Sequence, residues 1–170
     1  MTVTVETGLW QLDTTASTVA LRHKTLWGLA TVKGALAAVG GRGEVGADGS
    51  ATGTVTLDAT SLDTRNGKRD EHLKSADFLD AGKHPEITFV VGEARLRGEG
   101  AAHVTGELTV RGVSRPLTLT ARVVGADAGT VTLDVEFTVD RHEFGVAGNQ
   151  MGMIRGLTTI EASLRFTRAD

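Results

Sequence analysis

The chain has 170 residues, 40% hydrophobic and 23% charged, with a formal net charge of −3 and no cysteine. This composition suits one folded domain over residues 1–170 and argues against a disordered chain. It excludes disulfides, thiolate metal sites and a cysteine nucleophile, and the 18 Lys and Arg are scattered, which argues against nucleic acid as a partner.

The first residues, Met1 to Glu6, bring an early acid and no apolar run of the kind a secretory signal or a membrane span needs. A cytoplasmic protein is therefore expected, and the lack of cysteine agrees with a reducing compartment. Beyond this point the dominant signal is alternation with a period of two, apolar residues on one face and Thr or charged residues on the other.

In chain order, strands are expected near residues 9–25 and 27–41, and then where Val55, Leu57 and Ala59 alternate with Thr54, Thr56 and Asp58. Residues 66–80 (Asn66 to Asp80) break the alternation and read as a short helix with Leu73, Phe78 and Leu79 on its inner side, ending before His84-Pro85. Strands resume near 86–96. Val104, Leu108 and Val110 then alternate with His103, Glu107 and Thr109, and Leu117, Leu119, Ala121 and Val123 with Thr118, Thr120 and Arg122. The clearest strand is Thr130 to Asp140, where Val131, Leu133, Val135, Phe137 and Val139 share one face. Ile160, Ala162, Leu164 and Phe166 complete a set of about eight strands. Turns are expected at Gly40-Gly41, Asp48-Gly49, Arg97 to Gly100 and Gly125 to Gly129.

Half-buried strands without intervening helices predict an antiparallel sheet that covers its apolar face by closing on itself or by pairing with a second sheet. Eight strands suit an up-and-down barrel with a short helical insertion near one opening; a two-sheet sandwich is the competing arrangement.

Particular residues then carry a family resemblance. Arg69-Asp70-Glu71-His72-Leu73-Lys74-Ser75-Ala76-Asp77-Phe78 followed by His84-Pro85-Glu86-Ile87-Thr88-Phe89 resembles the central signature of the YceI-like family. Gly106 to Leu117 looks like the family's strand pair, Asp140-Arg141-His142-Glu143-Phe144-Gly145 like its late motif, and Trp10-Gln11-Leu12-Asp13 like its usual start. The blocks come in the family's order and span nearly the whole chain. The resemblance implies an eight-stranded, lipocalin-like barrel that buries a polyprenyl chain, an isoprenoid quinone tail or a fatty chain in an apolar tunnel, with no catalytic residues and no required cofactor. One departure stands out: many relatives carry a His before the run leading to Gly34, whereas here Lys24-Thr25-Leu26-Trp27-Gly28-Leu29 occupies that stretch, with His23 close by.

Alternation alone is equally what a solidly packed barrel produces; it is the resemblance that turns the inner face into a tunnel. Tyr is absent and aromatics make up 4% of the chain, so the inward Val, Ala, Leu and Gly leave space. The expected lining comprises Leu26, Trp27 and Leu29 early in the chain, and Leu57 on the following strand. The helical segment and the next strand add Leu73, Phe78, Leu79 and Phe89. Later strands contribute Leu108, Leu119, Leu133, Val135, Phe137 and Leu164. Phe144 joins them from the late motif, and Met151, Met153 and Ile154 form an adaptable apolar run suited to a mouth.

The five histidines, His23, His72, His84, His103 and His142, form no close pair at ligand spacing, so a metal site is not expected. Arg69-Asp70 and Asp140-Arg141 read as contacts that hold loops, with His72 supporting the helical segment and His103 on a wet face. No nucleophile elbow, P-loop or dinucleotide fingerprint occurs. Three functional readings remain. The first is a carrier or reservoir that meets membranes by transient contact. The second is an enzyme that cyclises or isomerises an isoprenoid or polyene chain by confinement, with His23 or His142 as its titratable group. The third is a ligand-free scaffold or stress-response protein. An isologous homodimer is compatible with all three.

Overall fold

A computed structural model describes residues 5–25, 30–76, 78–97, 100–127, 129–144 and 154–169. Nine strands form one antiparallel sheet: β1 (Gly8–Leu12), β2 (Thr18–Thr25), β3 (Ala30–Val45), β4 (Ser50–Asp63), β5 (Glu86–Arg97), β6 (Ala101–Val110), β7 (Val113–Ala126), β8 (Thr130–Asp140) and β9 (Ile154–Arg168). Each strand from β2 onward pairs with its successor in sequence, and β9 returns to β2, so the sheet closes into a barrel. Closure gives every strand a partner on both sides over at least part of its length, and one face turned to the interior.

The expected count of eight and the observed nine describe the same barrel. Both β1 and β2 lie between β3 and β9, β1 toward one end (Gly8↔Val45, Leu12↔Phe166) and β2 toward the other (Val19↔Leu36, Val19↔Ala162). They make one interrupted stave. The interruption is an Asp-centred turn: the Asp13 carboxylate accepts the backbone N–H groups of Thr15 and Ala16, at 3.1 and 3.2 Å. Ser17 donates its hydroxyl to the Asp13 carbonyl and accepts the Arg165 N–H, which keeps the turn docked on β9.

The turn expected at Gly40-Gly41 is not there. β3 runs straight through both glycines, with a register irregularity between Ala38 and Gly40. A Cβ at Gly41 would lie 2.9 Å from the Cβ of Leu12, so glycine here admits a close neighbouring side chain rather than a reversal. The turn expected at Asp48-Gly49 occurs; those expected at Arg97 to Gly100 and Gly125 to Gly129 include residues outside the described set, where β5 gives way to β6 and β7 to β8. Gly49, with φ of 82°, and Gly100, with φ of 81°, adopt the left-handed backbone their hairpins require.

The helical segment is shorter than expected. Helix α1 spans Gly67–Lys74, and successive turns carry the chain on to His84. Asn66 caps it, its side chain accepting the Arg69 N–H at 3.1 Å. With no residue of α1 itself buried, the cap over this end of the barrel is anchored mainly by the turns after the helix, above all by Phe78, only 3% exposed. Leu73 and Leu79 pack against the same core cluster.

Candidate functional site

The interior is not solidly filled. A cavity of about 580 Å³ lies at the end of the barrel covered by α1, and another of about 230 Å³ extends toward the opposite, hairpin end. Six residues line both: Val19, Leu57, Ile87, Leu108, Phe137 and Ile160. They come from β2, β4, β5, β6, β8 and β9, and the pairings Leu57↔Ile87 and Phe137↔Ile160 place them at one level. The six form an apolar belt around the waist of a two-chambered interior.

The hairpin-end chamber is almost wholly apolar in its walls, with Val91, Leu96, Val104, Leu119, Val123, Leu133, Val135, Leu164 and Phe166 among them. Such walls offer water few partners and favour hydrocarbon. Its wall includes Trp10, 3% exposed, which clusters with Val45 and Val131. The Trp10 ring donates its N–H to the Glu6 carbonyl at 3.0 Å, and the Arg168 guanidinium lies 5.5 Å from the ring centroid while pairing with Glu6 at 2.7 Å.

The helix-end chamber combines apolar walls with a polar group of side chains: His23, Thr64, Asn66, Lys68, Arg69, His72 and Thr158 all border it. His23 Nδ1 lies 2.7 Å from the Thr158 hydroxyl. Thr64, 6% exposed, is the hub of the cap. It donates its backbone N–H (2.8 Å) and its hydroxyl to the Asp70 carboxylate. It accepts from Arg69 twice, Nε to its hydroxyl oxygen and Nη2 to its carbonyl, both at 2.8 Å. The Thr64 hydroxyl, ahead of the backbone N–H and the cations of Lys74 and Arg69, holds the Asp70 carboxyl below its ordinary pKa. The Arg69-Asp70 pair thus shapes the cap around a buried threonine.

Two further contacts lock the cap. Arg111 Nη1 donates to the Phe78 carbonyl at 2.9 Å, and the His72 ring meets Phe78 edge-on at 5.0 Å. Gly112, with φ of 73°, brings the β6–β7 turn so close to His84 that a Cβ would lie 2.9 Å from the imidazole.

The sequence-derived lining residues divide by chamber. Leu57, Leu108 and Phe137 fall in the belt; Leu73, Phe78, Leu79 and Phe144 border the helix-end chamber; Phe89, Leu119, Leu133, Val135 and Leu164 border the hairpin-end chamber. Leu26, Trp27, Leu29, Met151, Met153 and the side chains of Ile154 and His142 lie outside the described residues. Sequence reasoning passed over Val19 and Leu21, which alternate along β2 with His23, the group named for confinement chemistry, and all three face the helix-end chamber. The same period of two marks them. That reasoning read Arg69-Asp70 and His72 as supports of the loop and the helical segment and Trp10 as part of a motif, and did not expect Arg69, His72 or Trp10 to border the chambers, because their neighbours are set by closure. Among the described residues no group of three His, Asp or Glu is placed to hold a metal ion, His103 is exposed, and no helix is long and apolar enough to cross a membrane.

Known proteins share this architecture. Residues 10–166 match the YceI-like domain. The chain belongs to the YceI-like family. A UPF0312 protein of Vibrio parahaemolyticus is 47% identical over 72 residues, 42% of this chain and 38% of the relative. Protein YceI of Escherichia coli O157:H7 is 44% identical over 71 residues, 42% of this chain and 37% of its own. The matches therefore span under two-fifths of these relatives' length. Among solved structures, BcnA of Burkholderia cenocepacia superposes with a TM-score of 0.79 at 22% identity, covering 91% of this chain and 98% of its own. A polyisoprenoid binding domain from Saccharophagus degradans, implicated in plant cell wall breakdown, gives 0.75 at 14% identity, covering 96% and 100%. These likenesses establish the shared barrel fold.

Proposed function

We propose that this YceI-like barrel binds one long apolar chain, a polyisoprenoid, an isoprenoid quinone tail or a fatty chain, and carries or sequesters it. The observation that carries this reading is the pair of chambers that share an apolar belt of six residues; occupied together, they would suit a long chain better than a compact molecule. The helix-end chamber lies within the roughly 300–1,000 Å³ range of small-molecule pockets. The polar side chains around α1 suit a head group there, with the tail threaded past the belt into the largely apolar chamber. Each buried methylene contributes about 0.8 kcal/mol, so one five-carbon isoprene unit supplies on the order of 3 kcal/mol before entropy losses.

The relative described as a polyisoprenoid binding domain supports the same ligand class. The expected lining, from Leu57 to Leu164, becomes the proposed contact surface, and no cofactor is needed. Delivery by transient membrane contact, a cytoplasmic site of action suggested by the lack of cysteine, and an isologous homodimer belong to this proposal. Native mass spectrometry and lipid extraction of freshly purified protein test it. Co-purification of a chain lipid, or uptake of added polyprenyl or quinone ligand, is expected; neither occurring would refute it.

Confinement chemistry on an isoprenoid or polyene keeps a specific observation in its favour, since His23 borders the helix-end chamber. Recovery of a cyclised or isomerised product after incubation with such a chain, abolished in His23→Ala, would establish it. A scaffold with a filled barrel finds no support in two open chambers.

A further inference from the structure

The ladder between β7 and β8 is incomplete. It runs from Ala126↔Val131 to Ala121↔Val135 and stops. Beyond it, Val113–Thr120 of β7 pair with β6, and Glu136–Asp140 of β8 pair with β9. Continuing the register would set Leu119 opposite Phe137, Thr118 opposite Thr138, Leu117 opposite Val139 and Pro116 opposite Asp140. These pairings do not form, so the two staves part toward the helix end. Pro116, which has no N–H to give, sits on the parted margin, where proline is tolerated in a strand.

We propose that this parting is a lateral portal to the helix-end chamber, with Phe144 as the residue that shuts it; the inference rests on the reading that an apolar chain occupies the barrel. The chain leaves β8 into a 3₁₀ turn, Arg141–Phe144, that packs against both β7 and β9. Arg115 Nε of β7 donates to the Glu143 carbonyl at 2.9 Å, so the turn bridges the parted staves. Phe144 itself is 4% exposed, borders the chamber, and shares a core cluster with Val113, Leu117 and Val139.

Among the described residues the alternative routes are held by more contacts. The helix end lies under the cap held by Thr64 and by the Arg111–Phe78 bond, and toward the hairpin end stands the Trp10 cluster. Parting any other pair of staves would break ladder hydrogen bonds along its length. Among the described residues, opening here breaks no ladder bond; the turn must release the Arg115–Glu143 bond, swing away from β7 and carry Phe144 with it. The apolar margins, Leu117 and Leu119 facing Phe137 and Val139, would wet a hydrocarbon chain along the whole slit.

The chain has no native cysteine, so Thr118→Cys with Thr138→Cys, both exposed positions, gives a clean bridge. A disulfide there would hold the Cα atoms within about 7 Å, near strand-pairing distance, and sew the slit shut. The probe is the fluorescent polyene fatty acid cis-parinaric acid, followed by stopped flow and by equilibrium titration. In the oxidised pair, uptake and release should both slow by at least about tenfold while Kd stays within about twofold, and reduction should restore the rates. Arg115→Ala should speed both rates with thermal stability unchanged, and Phe144→Ala should speed them further. Should the pair not oxidise, the two single variants decide: unaltered exchange in both overturns the portal. Uptake that is as fast in the oxidised pair as in the reduced one overturns the portal alone and leaves the lipid-binding reading standing. If the wild-type chain takes up no cis-parinaric acid or polyprenyl ligand, both readings fail together.

Discussion

The two ends of the barrel solve the same closure problem with different chemistry. At the hairpin end, short carboxylate-centred turns reverse the chain: Asp48 accepts from Ser50 at 3.0 and 2.7 Å, and Asp127 from Gly129 and Thr130. Behind them the interior is lined mostly by apolar side chains, Trp10 among them. At the helix end, a segment of about twenty residues between β4 and β5 folds over the opening, and polar side chains border the space beneath it. The barrel therefore has a polarity in its lining: apolar side chains dominate one end, while histidine, threonine, asparagine, lysine and arginine side chains border the other.

The largest expected effect comes from unpinning the cap. Phe78→Ala removes a buried ring and leaves a void, at about 3–5 kcal/mol. Denaturant titration should register that loss, and amide exchange should rise first over residues 67–81 while β6 stays protected. Equal loss at both ends would mean that cap and barrel are one cooperative unit.

Next is the hairpin-end chamber. Ala162 lines it and is only partly buried. Ala162→Phe should occupy the room of about one isoprene unit, weakening long chains by about 3 kcal/mol, on the order of a hundredfold, and leaving short chains nearly unchanged. A chain-length series of polyprenyl alcohols measures this. Equal weakening of all lengths would place the tail elsewhere.

Acid should act on both ends. Asp70, Asp48 and Asp127 all sit below their ordinary value of 3.8: Asp70 chiefly through the Thr64 hydroxyl, Asp48 through the Ser50 hydroxyl and Asp127 through the Gly129 N–H. A carboxyl with a depressed folded pKa contributes its stability above the ordinary value and loses it as pH falls through the lowered one. Melting temperature should therefore hold from neutrality to about pH 4 and decline below it. Asp70→Asn should flatten the part of that decline seen in cap amides and spare the hairpin end. A decline beginning well above pH 5 would point to a different titrating group.

The smallest effect is expected at Arg168. Its ion pair with Glu6 is partly exposed and its stacking on Trp10 is a single cation–π contact. Arg168→Ala should cost no more than about 1 kcal/mol, diminished further by salt.

How far each region was legible mirrors the same division. The staves of β4, β8 and β9 announce themselves, because a period of two over ten or more residues has few other solutions. The inward residues they supply, such as Leu133, Val135 and Phe137, come with them. Gly40-Gly41 misled, since a glycine pair that reverses the chain and one that makes room for Leu12 are identical in sequence. Pro116 was a signal left unread: proline within an alternating run marks a strand margin. Thr64 carries no mark at all; its role comes from Arg69 and Asp70 folding back onto it.

The order of residues was thus enough to determine the all-β class, the staves and which side of each is oily, because side-chain alternation is a local property of extended backbone. The tertiary structure alone decided that β1 and β2 share one stave, that six residues line both chambers, and that the ladder between β7 and β8 stops short. Those features depend on register between strands distant in the chain. Register is settled only when the sheet closes and all its neighbours are in place at once.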